Sequence, residues 1–255
     1  MSAPVMISQH GPVAVIRLHV PAKLNALNPD AVKLLVEAVD SACRSDDVGA
    51  IVLTGGERAF CSGEDLTTAA TMTADAFEKQ VANFQRLARL LLNTDKPTVA
   101  AIAGVAVGGG LELALNCDLR IAASNARFVC PEARLGMTVS NAASLLLRRC
   151  VGEGWARELM LFGRELDSQK ALSIGLVTRV VATGTVVSEA INIASAIAAA
   201  PRHSVAYAKQ LLRAAGPGFE AALNLESELL GASFRSDETS DRITSFNAGH
   251  GRRQS

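Results

Sequence analysis

The sequence predicts an α/β fold, because short runs of apolar and β-branched residues alternate with segments of helical periodicity. Val13–Val20, Ala50–Thr54 and Pro97–Ala103 are such runs, and we predict them as buried strands. Beyond Gly152 the pattern changes to a succession of helical segments. We therefore expect an α/β core followed by a mainly helical C-terminal part.

The first predicted helix follows Asn28, a residue that can cap a helix N-terminus, with Pro29 at the first helical position. Its apolar residues fall on one face at helical spacing: Val32, Leu35, Val36, Val39 and Cys43. A second amphipathic helix is predicted over Phe77–Leu92. Leu119–Ala123 and Arg127–Val129 complete the set of predicted strands in the core.

The C-terminal part is predicted to hold one strand, Leu176–Val181. Its predicted helices are Trp155–Gly163, Ser168–Gly175, Val186–Ala200, Ser204–Ala214, Phe219–Ser233 and Asp237–Phe246. We place a soft boundary near Ala196–Pro201. This divides the chain into a core of residues 1–195 and a helical region of residues 196–255.

Composition argues against several classes of protein. The chain of 255 residues carries 25 basic and 25 acidic residues, which disfavours a nucleic-acid-binding scaffold or a polybasic membrane surface. Its five cysteines form no C-x-x-C pair, so we interpret them as reduced, mostly buried thiols and expect no metal site. No signal peptide or membrane-length apolar run is visible. These features favour a cytoplasmic protein.

Most of the candidate catalytic residues lie in one segment, Thr98–Leu135. In this segment the triple glycine Gly108–Gly110 joins an apolar strand to a helical pattern. The segment lacks the Gly-Lys-Ser/Thr of a Walker loop, and Leu113 stands where a dinucleotide fingerprint needs glycine or alanine. A glycine corner can instead aim backbone N–H groups at an oxyanion. Glu112 and Glu132 could then move protons nearby. Each also has an ordinary structural reading, as a complement to a helix dipole or a surface residue.

A second segment, Arg58–Leu66 (RAFCSGEDL), is predicted as a turn in which Asp65 caps the following helix. Together with AGVAVGGGLELALNCD and FVCPEARLG, this segment resembles the motifs of the crotonase superfamily, the enoyl-CoA hydratase/isomerase family. PAKLNAL at Pro21–Leu27, CVG at Cys150–Gly152 and FRSDE at Phe234–Glu238 fit the same family. The resemblance covers nearly the whole chain.

This resemblance implies a spiral of ββα units and a C-terminal helical region that mediates trimerisation. It also implies acyl-CoA thioester substrates, with coenzyme A as part of the substrate and no separate cofactor. A homotrimer or a dimer of trimers is expected, without nucleic-acid or membrane partners. By motif position, the two backbone N–H groups of the oxyanion hole belong to Glu64 and Gly109.

The paired glutamates of hydratases correspond to Glu112 and Glu132. Glu112 would activate the water that adds to a trans-2-enoyl-CoA, and Glu132 would deliver the proton to Cα. Isomerisation of a 3-enoyl-CoA is the first alternative, and it ranks below hydration because simple isomerases usually need only one carboxylate whereas two are paired here. Ser140 stands where relatives with other reactions carry an aspartate. The second alternative is a catalytically weak binding member that holds RNA through Lys209 and Arg213, with Arg148 and Arg149 adding charge.

Substrate contacts follow from the same resemblance. Lys23 is the candidate contact for the phosphate or adenine of CoA. The other predicted binding positions are Ala26, Ser62, Asp65, Leu66 and Gly108. Glu64 replaces the small residue often found in its motif, so its side chain either adds a charge near the thioester or points to solvent. The acyl pocket is expected along Leu66–Leu92.

Overall fold

The computed structural model describes residues 3–69, 71–214 and 237. Its strands are β1 (Val5–His10), β2 (Val13–Leu18), β3 (Ala50–Thr54), β4 (Ala59–Cys61), β5 (Thr98–Ile102), β6 (Val105–Val107), β7 (Leu119–Ala123), β8 (Arg127–Val129), β9 (Leu166–Asp167) and β10 (Arg179–Val181). Its helices are α1 (Pro29–Arg44), α2 (Leu66–Ala69), α3 (Ala74–Asn93), α4 (Gly109–Leu115), α5 (Ala143–Phe162), α6 (Ser168–Ser173), α7 (Val186–Ala198) and α8 (Arg202–Ala214). Short 3-10 turns cover Pro21–Lys23 and Glu132–Leu135.

The strands form two sheets. A six-stranded sheet has the order β1-β2-β3-β5-β7-β10, and a four-stranded sheet has the order β4-β6-β8-β9. Pairing is parallel except between β1 and β2 and between β8 and β9. Successive strand pairs β3-β4, β5-β6 and β7-β8 each send one strand to either sheet, and a helix follows each pair. The chain therefore repeats a ββα unit, as the family resemblance implies.

The first helix begins as predicted. The Asn28 side chain accepts a hydrogen bond from the Ala31 N–H at 2.8 Å, and Pro29 occupies the first turn. Of the five residues predicted for its apolar face, Val32, Leu35, Val36 and Val39 are buried and Cys43 is half-buried. The second long helix, α3, begins before the predicted Phe77, because the Thr73 side chain caps it by accepting from the Ala76 N–H.

Several elements differ from the sequence-based prediction. Strand β1 is not predicted, since five of its six residues are exposed and carry no buried alternation. Strands β4 and β6 have only three residues each. Strand β4 lies in the segment predicted as a turn, and β6 lies between the predicted strand Pro97–Ala103 and the triple glycine, where no element is predicted. Helix α5 begins at Ala143 rather than Trp155, and Gly152 interrupts it with φ 74° and ψ 169°. The predicted start at Trp155 lies just beyond this interruption.

Helix α7 packs on the six-stranded sheet, where its Val186, Ala190 and Ala194 join an apolar cluster with strand residues such as Val52 and Val99. The predicted helices Phe219–Ser233 and Asp237–Phe246 lie outside the described residues, apart from Asp237. The division at residues 195 and 196 and the trimerisation region therefore stay predictions. Among the described helices, none has the length and apolarity needed to cross a membrane.

Candidate active site

The triple glycine places the N-terminus of α4 against the end of β4. Gly108 caps the helix with φ 53° and ψ −123°, and its N–H donates to the Val129 carbonyl at 3.0 Å. A Cβ on Gly110 would lie 2.2 Å from the Cys61 carbonyl oxygen, which is shorter than any real contact. The close approach of α4 to β4 therefore requires glycine at this position.

The turn after β4 meets this helix end. Gly63 has φ 88°, and a Cβ on it would lie 2.7 Å from the Val107 carbonyl oxygen and 3.3 Å from the Gly109 nitrogen. A Cβ on Gly109 would lie 3.8 Å from the Glu64 nitrogen. Within the described residues, neither the Glu64 N–H nor the Gly109 N–H donates to another group. Both donors are thus free for a ligand oxygen.

A cavity of about 620 Å³ opens at this point. Of the residues predicted for the site, those that line it are Ser62, Glu64, Leu66, Gly108, Gly109, Glu112 and Glu132. Phe77, Val81 and Phe84 of α3 add an apolar wall, within the segment predicted for the acyl pocket. Lys23, Ala26 and Asp65 do not line this cavity.

Glu112 is 4% exposed and is held by three donors. The Ser140 N–H donates to Oε1 at 2.7 Å, while the Ser140 hydroxyl and the Asn141 amide donate to Oε2 at 2.7 and 2.8 Å. Burial raises the pKa of Glu112 above its ordinary value, and the nearby Glu132 charge adds to this, although the hydrogen bonds from Ser140 and Asn141 oppose it. The carboxyl is thus fixed in place and more basic than an ordinary glutamate.

Glu132 is 7% exposed and begins the 3-10 turn after Pro131. The Cys130 thiol donates to its Oε2 at 3.0 Å. Its Oε1 faces the glycine corner, since a Cβ on Gly108 would lie 3.0 Å from that atom. Burial, followed by the hydrogen bond to Glu132, raises the pKa of the Cys130 thiol, so it stays protonated and can donate.

Cys130 tests whether this hydrogen bond positions Glu132. We expect Cys130→Ala to lower kcat for the reaction proposed below about fivefold to tenfold, the equivalent of one modest hydrogen bond. Cys130→Ser keeps a donor and should retain most of the activity. The check is kcat and KM for both variants, and equal activity of the alanine and serine variants would show that the thiol only fills space.

Lys23 and Asp65 form an ion pair with each other at 2.5 Å. The hydrogen bond from Lys23 lowers the pKa of Asp65, which is buried. Asp65 also accepts from the Thr68 N–H at 3.3 Å, so it caps α2 as predicted. Ser62 donates from its hydroxyl to the Lys23 carbonyl at 3.1 Å. These contacts tie the PAKLNAL segment to the turn, and a role of these residues in substrate binding stays a prediction.

The residues that sequence reasoning misses are the donors to the two glutamates. The motifs assign neither Cys130 nor Asn141 to the site, and Ser140 enters the sequence argument only as a missing carboxylate. Asn141 and Ala142 have positive φ, 54° and 62°, in the turn that carries Ser140 to Glu112. The position of Cys130 two residues before Glu132 is the one local signal in the sequence. Among the described residues, no cluster of histidine, cysteine and carboxylate side chains could hold a metal.

Comparison with known proteins shows that a family model and the curated relatives agree on one family. Residues 8–249 match the family described as "Enoyl-CoA hydratase/isomerase". The chain is 35% identical to the short-chain-enoyl-CoA hydratase of Clostridium acetobutylicum, over 95% of this chain and 94% of that protein. It is 32% identical to the crotonyl-CoA hydratase of Syntrophomonas wolfei, over 95% and 94% of the two chains.

A solved structure agrees with these relatives. The crystal structure of an enoyl-CoA hydratase from Bacillus anthracis superposes with a TM-score of 0.92, covers 96% of both chains and is 28% identical. The similarity therefore extends over nearly the whole chain rather than a single motif. The chain therefore belongs to the enoyl-CoA hydratase/isomerase family and has the crotonase fold.

Proposed function

We propose that this protein hydrates trans-2-enoyl-CoA thioesters to 3-hydroxyacyl-CoA. The observation that carries the proposal is that two buried glutamates, Glu112 and Glu132, line one cavity beside two unpaired backbone N–H groups. Such a site can stabilise a thioester enolate and move two protons, the two requirements of adding water across a conjugated double bond.

In the proposed mechanism, the thioester oxygen accepts hydrogen bonds from the Glu64 and Gly109 N–H groups. These donors stabilise the enolate that forms when water adds at Cβ, and one such donor typically contributes about 10²–10³ in rate. Glu112 takes a proton from the water as the oxygen–carbon bond forms. Glu132 gives a proton to Cα, and after product release the proton held by Glu112 passes to Glu132, so that Glu112 is ionised and Glu132 protonated again.

The hydrogen bonds around the two glutamates favour these different roles. Both oxygens of Glu112 accept protein hydrogen bonds, which suits an ionised base. The Oε1 of Glu132 faces the glycine corner, while Cys130 donates only to its Oε2. This leaves Oε1 as the atom that can carry the proton to the substrate.

The direct experiment measures loss of the conjugated enoyl-thioester absorbance with purified protein and a panel of trans-2-enoyl-CoAs. Rapid loss is expected with at least one short-chain member. A 3-enoyl-CoA is tested in parallel, because a gain of absorbance there without hydration of any 2-enoyl-CoA would favour the isomerase alternative and contradict the proposal.

Activity should depend on pH through Glu112. Because its pKa is raised, we expect kcat/KM to fall on the acid side at a higher pH than an ordinary glutamate would give. Ser140→Ala removes a hydrogen bond that lowers this pKa, so the acid limb should move to still higher pH. The measurement is the pH profile of kcat/KM, with Ser144→Ala at an exposed position as control. If the acid limb of the kcat/KM profile does not move in Ser140→Ala, Glu112 is not the group whose protonation causes it.

Of the four basic residues in the RNA-binding alternative, Arg149 is exposed and Arg148 pairs with Glu153 at 2.6 Å, while the other two are engaged within the chain. Lys209 is 7% exposed and pairs with Asp118 at 2.5 Å. Arg213 donates to the Leu92 and Thr94 carbonyls and pairs with Asp95 at 3.0 Å. Both cations are therefore engaged within the chain, where they hold α8 to the core.

Assembly into a homotrimer or a dimer of trimers belongs to the same proposal. Helix α5 leaves Leu145, Leu161 and Phe162 exposed, the last two by 61% and 64%. Large apolar side chains grouped on one helix are typical of a surface that another chain covers. Light scattering coupled to size-exclusion chromatography would determine the oligomeric state. A cytoplasmic location stays a prediction.

A further inference from the structure

Glu64 brings a third carboxylate to the cavity. Its backbone N–H is a proposed oxyanion donor, and the residue lines the cavity with Glu112 and Glu132. Its Oε1 is buried, so this end of the side chain is turned away from bulk solvent. Any residue type except proline could supply the N–H, so the oxyanion hole by itself does not explain a glutamate at this position.

The Glu64 carboxyl differs from the other two in its partners. Its Oε1 is buried and has no hydrogen-bond partner within the described residues, whereas Glu112 and Glu132 accept from protein donors. No ion pair of the described residues includes Glu64 either. A buried carboxylate oxygen without a donor is costly, and burial accordingly raises the pKa of Glu64, with the Glu112 charge as the second cause. A ligand that supplies a donor would remove this cost.

The geometry limits where that donor lies. The N–H and the carboxyl of Glu64 belong to one residue, so the carboxyl stays within one side-chain length of the thioester oxygen bound at that N–H. The acyl chain beyond this point meets the apolar wall of Phe77, Val81 and Phe84. A donor near the thioester end of the acyl group fits this arrangement, and a donor farther along the chain does not.

We propose that Glu64 makes the site selective for enoyl-CoA substrates whose acyl group carries a hydroxyl close to the conjugated double bond. The hydroxyl donates to the Glu64 carboxylate in the bound substrate. This inference rests on the proposed hydratase function and specifies its substrate class. A site built around a hydrogen-bonding group discriminates strongly against analogues that lack the partner, because the buried acceptor is then left unpaired.

The test uses substrates that differ by one hydroxyl. Hydration of trans-4-hydroxybut-2-enoyl-CoA is compared with that of crotonyl-CoA, and trans-5-hydroxypent-2-enoyl-CoA with trans-pent-2-enoyl-CoA. For at least one pair, we expect the parent protein to favour the hydroxylated member by about tenfold or more in kcat/KM. Glu64→Leu should abolish this preference mainly by raising activity toward the unsubstituted substrate, and Glu64→Gln should reduce it.

Controls separate selectivity from general damage. Glu57→Gln removes a carboxylate from an exposed position outside the cavity and should leave the preference unchanged. If the parent protein hydrates both members of each pair equally, or if Glu64→Leu keeps the preference, the inference is wrong while the hydratase proposal stands. If no enoyl-CoA is hydrated, the hydratase proposal fails.

Binding then decides the inference without catalysis. Calorimetric titration compares 4-hydroxybutanoyl-CoA with butanoyl-CoA, which cannot react by hydration. Tighter binding of the hydroxylated ester by the parent protein, lost in Glu64→Leu and weakened in Glu64→Gln, would support the contact at Glu64. Equal affinity for the two esters would overturn it.

Discussion

Glutamine in place of Glu112 should lower kcat for enoyl-CoA hydration by about 10³-fold, within the range that acid–base groups contribute, and should leave KM nearly unchanged. The replacement fits the site. The Oε1 of the new glutamine can still accept from the Ser140 N–H. Its NH₂ group can donate to Oδ1 of Asn141 after the Asn141 amide turns over. Oδ1 is available for this bond because it has no partner among the described residues. The loss therefore reflects proton transfer rather than packing.

Stability gives an independent check on this variant. Because the pKa of Glu112 is raised in the folded protein, the folded state binds its proton more tightly than the unfolded chain does. The contribution of Glu112 to the free energy of unfolding is fully present below its pKa in the unfolded chain. This contribution is lost as pH rises through its pKa in the folded protein. Glu112→Gln removes this loss, so at neutral pH it should be at least as stable as the parent. The advantage should shrink as pH falls, which thermal melts at acid and neutral pH would show.

The matched control is Glu37→Gln, which changes an exposed glutamate on α1 and should leave kcat unchanged. Glu132→Gln should also lower kcat strongly, because its proton to Cα is lost. A Glu112→Gln variant that keeps more than about a tenth of the parent kcat would contradict the assignment of Glu112 as the base. A variant that loses both kcat and thermal stability would instead indicate misfolding.

Sequence periodicity predicts the large sheet better than the small one. Strands β3 and β5 are buried at every residue, so their apolar runs are unambiguous. Strands β4 and β6 have three residues each, and their pairing depends on contacts between distant segments. Such short strands have no period of their own to detect. The exposed strand β1 carries no buried face that a pattern could indicate.

The candidate site divides in a similar way. The structure brings Glu64, Gly109, Glu112 and Glu132 to one cavity, where the motifs place them. The donors that hold the glutamates arise from tertiary structure, since Ser140 reaches Glu112 through a turn with positive φ. Conformations of this kind depend on the surrounding contacts more than on local sequence. Sequence reasoning accordingly identifies the candidate reacting groups and misses the groups that orient them.

Alanine in place of Gly110 should destabilise the protein by about 3 kcal/mol and remove most hydratase activity. Helix propensity opposes this, because alanine in a helix interior is favoured over glycine by about 1 kcal/mol. The new Cβ would however lie 2.2 Å from the Cys61 carbonyl oxygen and 2.8 Å from the Cys61 Cβ. Overpacking of this kind costs about 1–3 kcal/mol and occasionally more. The nearest atom, the Cys61 carbonyl oxygen, belongs to the backbone, so rotation of a side chain cannot relieve the overlap.

The activity loss follows from where the helix would move. A shift of α4 away from β4 carries the Gly109 N–H and Glu112 away from the turn that holds Glu64, so the two proposed oxyanion donors separate. Gly154→Ala is the matched control, since Gly154 is also helical and exposed, and a Cβ added there would meet no neighbouring group within 4 Å. We expect Gly154→Ala to be neutral or stabilising, and Gly110→Ala to lower Tm by about 10 °C. Equal melting temperatures for the two variants would mean that α4 does not depend on this close approach, and the position of the oxyanion hole would then need another cause.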